Sequence, residues 1–382
     1  MHILIMSMEA GRFGPARLPE ALAAHDVTVS ILCPADNLLT ASRFIARHFP
    51  LPRAHSIRIL ARAVSHAVLA GRVDFIVPGD EQAVILLQTL ARDAGGRHLE
   101  PQVQRIVAGS LGDPAHFDAS LFKSETMKLA RSLGLAVPAG GTVTDREEAR
   151  ALASRLGYPV YIKASFSWAG LGVTRCDDEE QLLRAFPTPR GGQKARRWVR
   201  HLLGRDWFPV DTQIDVQAAI AGECGMYCGV AWHGHMLGGY GARKIELVYP
   251  NGPSRSLHLQ HHQQMAAMAE RMIEAMGFTG FFSFDFILPA DGTDPVLIEC
   301  NPRLVPISHL GYRIGVDQAG LLVARMRGCR PAPRPIVAKK ALDVLLFPHS
   351  LSARADERAL LKDIPGNDAG LVNYLTRQRA RS

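Results

Sequence analysis

Along the first hundred residues, short apolar runs alternate with longer mixed segments. Residues His2–Ser7, Val27–Leu32 and Asp74–Val77 read as strands, and Pro15–Ala24, Ser56–Ala70 and Glu81–Asp93 as helices. That β–α alternation predicts a parallel sheet with helices on both faces. Ligands in such sheets meet the carboxyl ends of the strands, where the loops Met8–Gly14 and Pro78–Glu81 fall. The pattern changes further on. Phe284-Asp285-Phe286 and Leu297-Ile298-Glu299-Cys300-Asn301-Pro302-Arg303 flank the polar turn Pro289–Pro295, which predicts a hairpin with Asp285 facing Glu299. Charged groups beside apolar strands are costly unless something pairs them. A hard cation such as Mg²⁺ pairs carboxylates and amides well and bridges them to phosphates. An ordinary hairpin with solvated acids is the alternative for this segment taken alone.

Between these regions the chain places chemistry on local patterns. Ser120-Leu121-Phe122-Lys123 opens a helix-like stretch ending at Gly134-Leu135-Ala136-Val137-Pro138. Gly157-Tyr158-Pro159-Val160-Tyr161-Ile162-Lys163 is an apolar strand carrying one lysine, a point charge at fixed depth suited to a polyanion. The loop Ser165–Val173 follows, with Gly170 and Gly172 leaving backbone N–H groups open to phosphate oxygens. Phe166 and Trp168 make it bulkier than a plain glycine loop. Thr212–Glu223 holds a second apolar strand and the residues that follow it, and Gly241–Ser254 carries the basic pair Arg243 and Lys244 ahead of a Pro/Gly turn. Three regions result: 1–112, 113–330 with a flap at about 141–210, and a Pro-rich start to 331–382 with one strand at Ala341–Phe347.

In their order these motifs resemble the ATP-grasp superfamily, which includes biotin carboxylase, carbamoyl phosphate synthetase and the carboxylate–amine ligases. The resemblance implies an α/β protein: an N-terminal parallel-sheet domain, then an ATP-grasp domain of two α+β subdomains. By position it assigns Asp285, Glu299 and Asn301 to the metal and Arg303 to the transferring phosphate. Lys123, Lys163, Ser165, Gly170 and Gly172 fall at the nucleotide phosphates. Ala219 and Ile220 supply the backbone hinge at adenine, and Glu223 the ribose acid. Gln217 stands where the family commonly has Glu. Lys244, and second to it Arg243, fall near the acyl phosphate and acceptor, and Ser308 and His309 within reach of the acceptor or at a helix start.

The implied cofactors are ATP and Mg²⁺, with Mn²⁺ as a substitute ion. The implied reaction activates a carboxylate as an acyl phosphate and joins it to an amine, releasing ADP and phosphate. Another acyl-phosphate or carboxylating enzyme on the same scaffold, and a non-catalytic ATP-binding protein, are the alternatives. The partners expected are small-molecule carboxylate and amine substrates and, as in many relatives, a second copy in a homodimer.

Composition narrows the rest. The chain of 382 residues is 47% hydrophobic and 21% charged, typical of a globular protein with a substantial core. No apolar run reaches the roughly 18–20 residues that span a bilayer, and Met1–Met6 lacks the basic start of a signal peptide, so a cytoplasmic location is expected. The net charge is +8 and the pI about 9.4, concentrated in 184–205 and in the tail 377–382. Few aromatics interleave with those charges, so neither nucleic acid nor membrane is an expected partner. Of six scattered cysteines, Cys224 and Cys228 lie near His233 and His235. Strand alternation puts both thiols on one sheet face, which favours free buried thiols over zinc.

Overall fold

The computed structural model describes residues 1–11, 13–53, 56–93, 96–164, 173–186, 199, 202–203, 207–208, 214–249 and 252–379. The N-terminal sheet has strands β1 (His2–Met6), β2 (Thr28–Cys33), β3 (Arg47–Pro50) and β4 (Phe75–Pro78), all parallel, in the order β3-β2-β1-β4. Its central strand is a continuous apolar run because both faces are covered. Leu4 and Met6 pack with Leu60, Leu86 and Val103 from helices Ile57–Gly71, Glu81–Ala91 and Pro101–Gly109. Ile3 and Ile5 pack on the other side with Leu22 and, from far along the chain, Leu322 and Val323 of helix Gln318–Met326. Strand β3 and helix Pro101–Gly109 went unforeseen; β3 buries only Phe49 and gives no apolar run.

A second sheet is antiparallel: β5 (Gly140–Val143), β6 (Val160–Ala164), β7 (Val173–Cys176) and β8 (Ile214–Ala218), in the order β5-β8-β6-β7. Helices Arg146–Leu156 and Glu179–Ala185 cover one face through Ala149, Ala153 and Leu182, buried with Ile162 and Val216.

The third sheet runs β13 (Val296–Asn301), β12 (Gly280–Pro289), β9 (Gly222–Trp232), β10 (His235–Leu247), β11 (Ser254–Gln260), β15 (Leu342–Leu345), β16 (Leu361–Lys362), with β14 (Ile336–Val337) against β10. On β12, Phe282, Phe284 and Phe286 pack with Met265, Met272 and Ile273 of helix Gln263–Met276. The two-residue period of a strand therefore turns Ser283 and Asp285 to the opposite face. His258 lies in β11 paired with Asp343, and His262 caps the helix that begins at Gln263. Residues beyond 331 do not stand apart. β15 and β16 lengthen the third sheet, and helix Ala369–Arg379 packs near Leu38–Ala41 of the N-terminal region.

Candidate active site

Strands β12 and β13 form the antiparallel hairpin, and Asp285 pairs with Glu299 in register, with a bulge just after Asp285. Asp285 Oδ1 is buried with no hydrogen-bond partner. Burial, and then the like charge of Glu299, push its carboxyl above the usual carboxylate range, while Lys244, Arg303 and Lys123 pull the other way. A buried, unpaired carboxylate facing a second acid calls for a cation. At the end of β13, Asn301 adds an amide oxygen that accepts from Arg303 Nη2 at 3.3 Å. Among the described residues no cluster of three or more His, Cys, Asp or Glu could hold a metal. Two carboxylates and one amide fit a hard ion whose other ligands come from elsewhere.

Cations close around this hairpin. Lys123 begins helix Lys123–Ser132, is buried, and puts Nζ 3.4 Å from Glu299 Oε1. Lys163, half-buried on β6, donates from Nζ to Gln217 Oε1 at 2.8 Å. Desolvation first, and then the nearby charge of Lys123, push the Lys163 ammonium down to about 8. Gln217, in the place where an acid was the common residue, is a buried neutral partner on β8. The loop residues Ser165, Gly170 and Gly172 lie outside the described residues.

Arg303 makes a contact that the motifs did not announce. Its Nη2 is ion-paired with Glu81 Oε1, 222 residues away in sequence, and its Nη1 donates to the Leu304 carbonyl at 2.9 Å. Glu81 is the first residue of helix Glu81–Ala91, capped by the buried Asp80. The Asp80 carboxylate also accepts from Ser7 Oγ at 2.8 Å, Met8 N–H at 2.6 Å and Glu9 N–H at 3.0 Å. One acid thus ties together the two strand-end loops, and the next one touches the guanidinium. The available signal was the Pro78–Glu81 loop at the carboxyl end of a parallel strand.

Of the remaining expected positions Lys244 stays near the hairpin and the others separate from it. Ala219 follows β8, and its N–H is taken by the Pro159 carbonyl at 3.0 Å, while Ile220 is half-buried beside it. Glu223 on β9 pairs with Arg243 on β10 at 3.1 Å, so the expected ribose acid and the second basic residue meet each other. Lys244 is half-buried on β10. Asp285, Met226 and Ala242 lie in one row across β12, β9 and β10, and Lys244 is two residues farther along, on the face of Ala242. Ser308 and His309 are buried: Ser308 Oγ accepts from Val305 N–H at 3.0 Å, and His309 Nε2 pairs with Asp363 Oδ1 at 3.0 Å. Both shape the loop behind Arg303. Cys228 is a buried thiol next to the Gln318 amide, and Cys224 is likewise unbridged.

Residues 122–196 match the family described as carbamoyl-phosphate synthase L chain, ATP binding domain. The chain is 26% identical over 273 residues to the carbamoyl phosphate synthase large chain of Rubrobacter xylanophilus, covering 68% of this chain and 24% of that protein. The chain thus spans well under half the length of this curated relative. In architecture it resembles biotin carboxylase of Campylobacter jejuni, with a TM-score of 0.64 at 17% identity over 90% of this chain and 74% of that one. Carboxyaminoimidazole ribonucleotide synthase of Aspergillus clavatus gives 0.63 at 12% identity, over 90% and 81%. The match over residues 122–196 and the shared architecture make the chain similar to ATP-grasp enzymes. Among the described residues no helix is long and apolar enough to cross a membrane.

Proposed function

We propose that this protein is an ATP-dependent ligase that activates a carboxylate as an acyl phosphate and transfers the acyl group to an amine. The observation that carries the reading is the facing pair Asp285 and Glu299, with Asp285 Oδ1 buried and unpaired and with Lys123 and Arg303 closing on the same strand end. Asp285, Glu299 and Asn301 would hold Mg²⁺, which, when bound, supplies positive charge to the nucleotide phosphates. Lys123 and Lys163 would bind those phosphates, and the guanidinium of Arg303 would neutralise charge on the group in flight. Positioning and electrostatics carry such a transfer, without covalent help from the protein.

In the first step a substrate carboxylate oxygen bonds to the γ-phosphorus while the bond to the ADP oxygen breaks. In the second an amine nitrogen bonds to the acyl carbon and inorganic phosphate leaves, with the amine proton passing to solvent. Lys244, on the sheet face shared with Asp285, would sit near the acyl phosphate. The test is ADP and phosphate release from Mg-ATP against pools of carboxylic acids combined with amino acids and amines, followed by mass spectrometry. Release that requires both an acid and an amine, with a product lighter by one water than their sum, supports the ligase. Release that requires bicarbonate in place of an amine overturns amide formation.

A further inference from the structure

The strand that carries Lys244 is irregular just past that residue. Lys244 pairs with Leu257 and Glu246 with Ser256, so Ile245 is an extra residue with no partner across the ladder, and it is exposed. A second register shift follows between Glu246 and Leu247. Bulges bend a strand and re-aim side chains, and they concentrate beside active sites. A bulge held only by its own ladder leaves the direction of Lys244 poorly fixed.

What grips this bulge comes from the end of the chain. Glu357 is 4% exposed and accepts two parallel bonds from Arg255, Nε at 2.8 Å and Nη2 at 3.0 Å. Arg255 itself is only 14% exposed and reaches Glu246 at 3.5 Å. Arg354 donates to Glu246 at 2.8 Å and lies 3.4 Å from Glu357. The backbone N–H of Arg354 also donates to Glu357 Oε2. Two acids and two arginines therefore alternate around the bulge, and the most buried acid belongs to the segment between β15 and β16. Bidentate Arg–carboxylate pairs fix geometry as well as add energy.

We propose that Glu357 is a positioning residue that fixes the bulged end of β10 through Arg255 and Glu246 and so aims Lys244 at the acyl phosphate. The inference rests on the ligase reading, in which Lys244 meets that intermediate. It makes the C-terminal extension part of the apparatus for the second half-reaction and not for nucleotide binding.

The experiment uses the full-length chain, Mg-ATP and the acid–amine pool that gives the greatest ADP release. Glu357→Gln keeps the shape and removes the charge. The expected result is a turnover about tenfold or more lower at unchanged ATP affinity, partly restored in Glu357→Asp, with no further loss when Glu357→Gln is added to Lys244→Ala. A merely structural role would lower ATP binding together with turnover and would add fully to the Lys244 change. Either of those results, or unchanged turnover in Glu357→Gln, overturns the proposal. If Lys244→Ala alone leaves turnover intact, the role given to Lys244 falls and the inference falls with it. If Lys244→Ala is inactive while Glu357→Gln is fully active, only the inference falls. Should Glu357→Gln fail to fold, Arg354→Gln, at the exposed rim of the same network, is expected to give the same split between turnover and ATP affinity in weaker form. No such split there overturns the proposal.

Discussion

Lys163 gives the sharpest quantitative handle on the site. Its ammonium is held down to about 8 by desolvation and by the neighbouring charge of Lys123, and its hydrogen-bond partner is the neutral amide of Gln217 at 2.8 Å. With that value the group is about 90% charged at pH 7 and about 10% charged at pH 9. If its charge is needed to hold the triphosphate, the dissociation constant of Mg-ATP should be flat below about pH 7.5 and rise about tenfold per unit above about pH 8. Replacing Gln217 by Glu puts a carboxylate where the amide now accepts from Nζ. An opposite charge that close favours the ammonium by about 1–3 pKa units, so the inflection should move up to about pH 9–11. The same carboxylate competes for the charge, so affinity at pH 7 should fall.

Calorimetric titration of Mg-ATP from pH 7 to 9.5, on the native chain, Gln217→Glu and Lys163→Met, measures all three. Lys163→Met should bind weakly with no inflection near pH 8. A flat profile in the native chain, or an inflection that Gln217→Glu does not move, refutes the argument. Stability carries the opposite signature. A lysine whose folded value lies below its unfolded one makes a contribution that is full above the unfolded value and is lost as pH falls through about 8. Lys163→Met should therefore gain stability relative to the native chain at pH 7 and lose that advantage above pH 10.

Three further outcomes are expected. Glu299→Ala should lower ADP release by about 10²–10³-fold while metal-free ATP binding survives, because it removes a charge that acts on the phosphates through the metal; equal turnover would show the site misassigned. Glu81→Gln removes the ion partner of Arg303 without touching the hairpin, and should cut turnover by about tenfold or more through misplacement of the guanidinium, with the urea unfolding midpoint nearly unchanged. Asp363→Ala leaves Arg17 and His309 buried beside a lost carboxylate and should destabilise the fold by about 3–5 kcal/mol in urea titration. Although burial works against it, His309 and Arg17 hold the Asp363 carboxyl well below the usual range. Its contribution is therefore complete above about pH 4 and is lost as the pH falls further, so native and variant curves should converge in acid.

Much of the candidate site is legible in the sequence. The polar turn between two apolar runs specifies a hairpin and the two-residue period turns Asp285 away from Phe282, Phe284 and Phe286, but Glu299 joins it only because the ladder shifts register between Glu299 and Leu297, which itself packs with the phenylalanines. The alternating strands and helices near the start likewise specify a parallel sheet, and β1–β4 are all parallel, though nothing local predicts β3 or the order β3-β2-β1-β4. Lys163 in an apolar strand was conspicuous for the same local reason: one charge among residues that belong in a core. Less legible were the surroundings of Ala219. Strand β8 was foreseen, but the engagement of the Ala219 N–H by Pro159 depends on β6 lying beside it.

Local pattern therefore determined which elements form, which faces they bury and which charged residues stand out on them. It could not determine partners. The pairing of Arg303 with Glu81 spans 222 residues, that of Arg17 with Asp363 spans 346, and that of Arg255 with Glu357 spans 102. No periodicity encodes such distances, because each pair depends on how whole elements pack and not on the spacing within any one of them. Glu81, Asp363 and Glu357 look in sequence like ordinary surface acids. Only the assembled sheets bring them against buried or half-buried arginines, where desolvation makes an unpaired charge expensive and so makes the choice of partner specific.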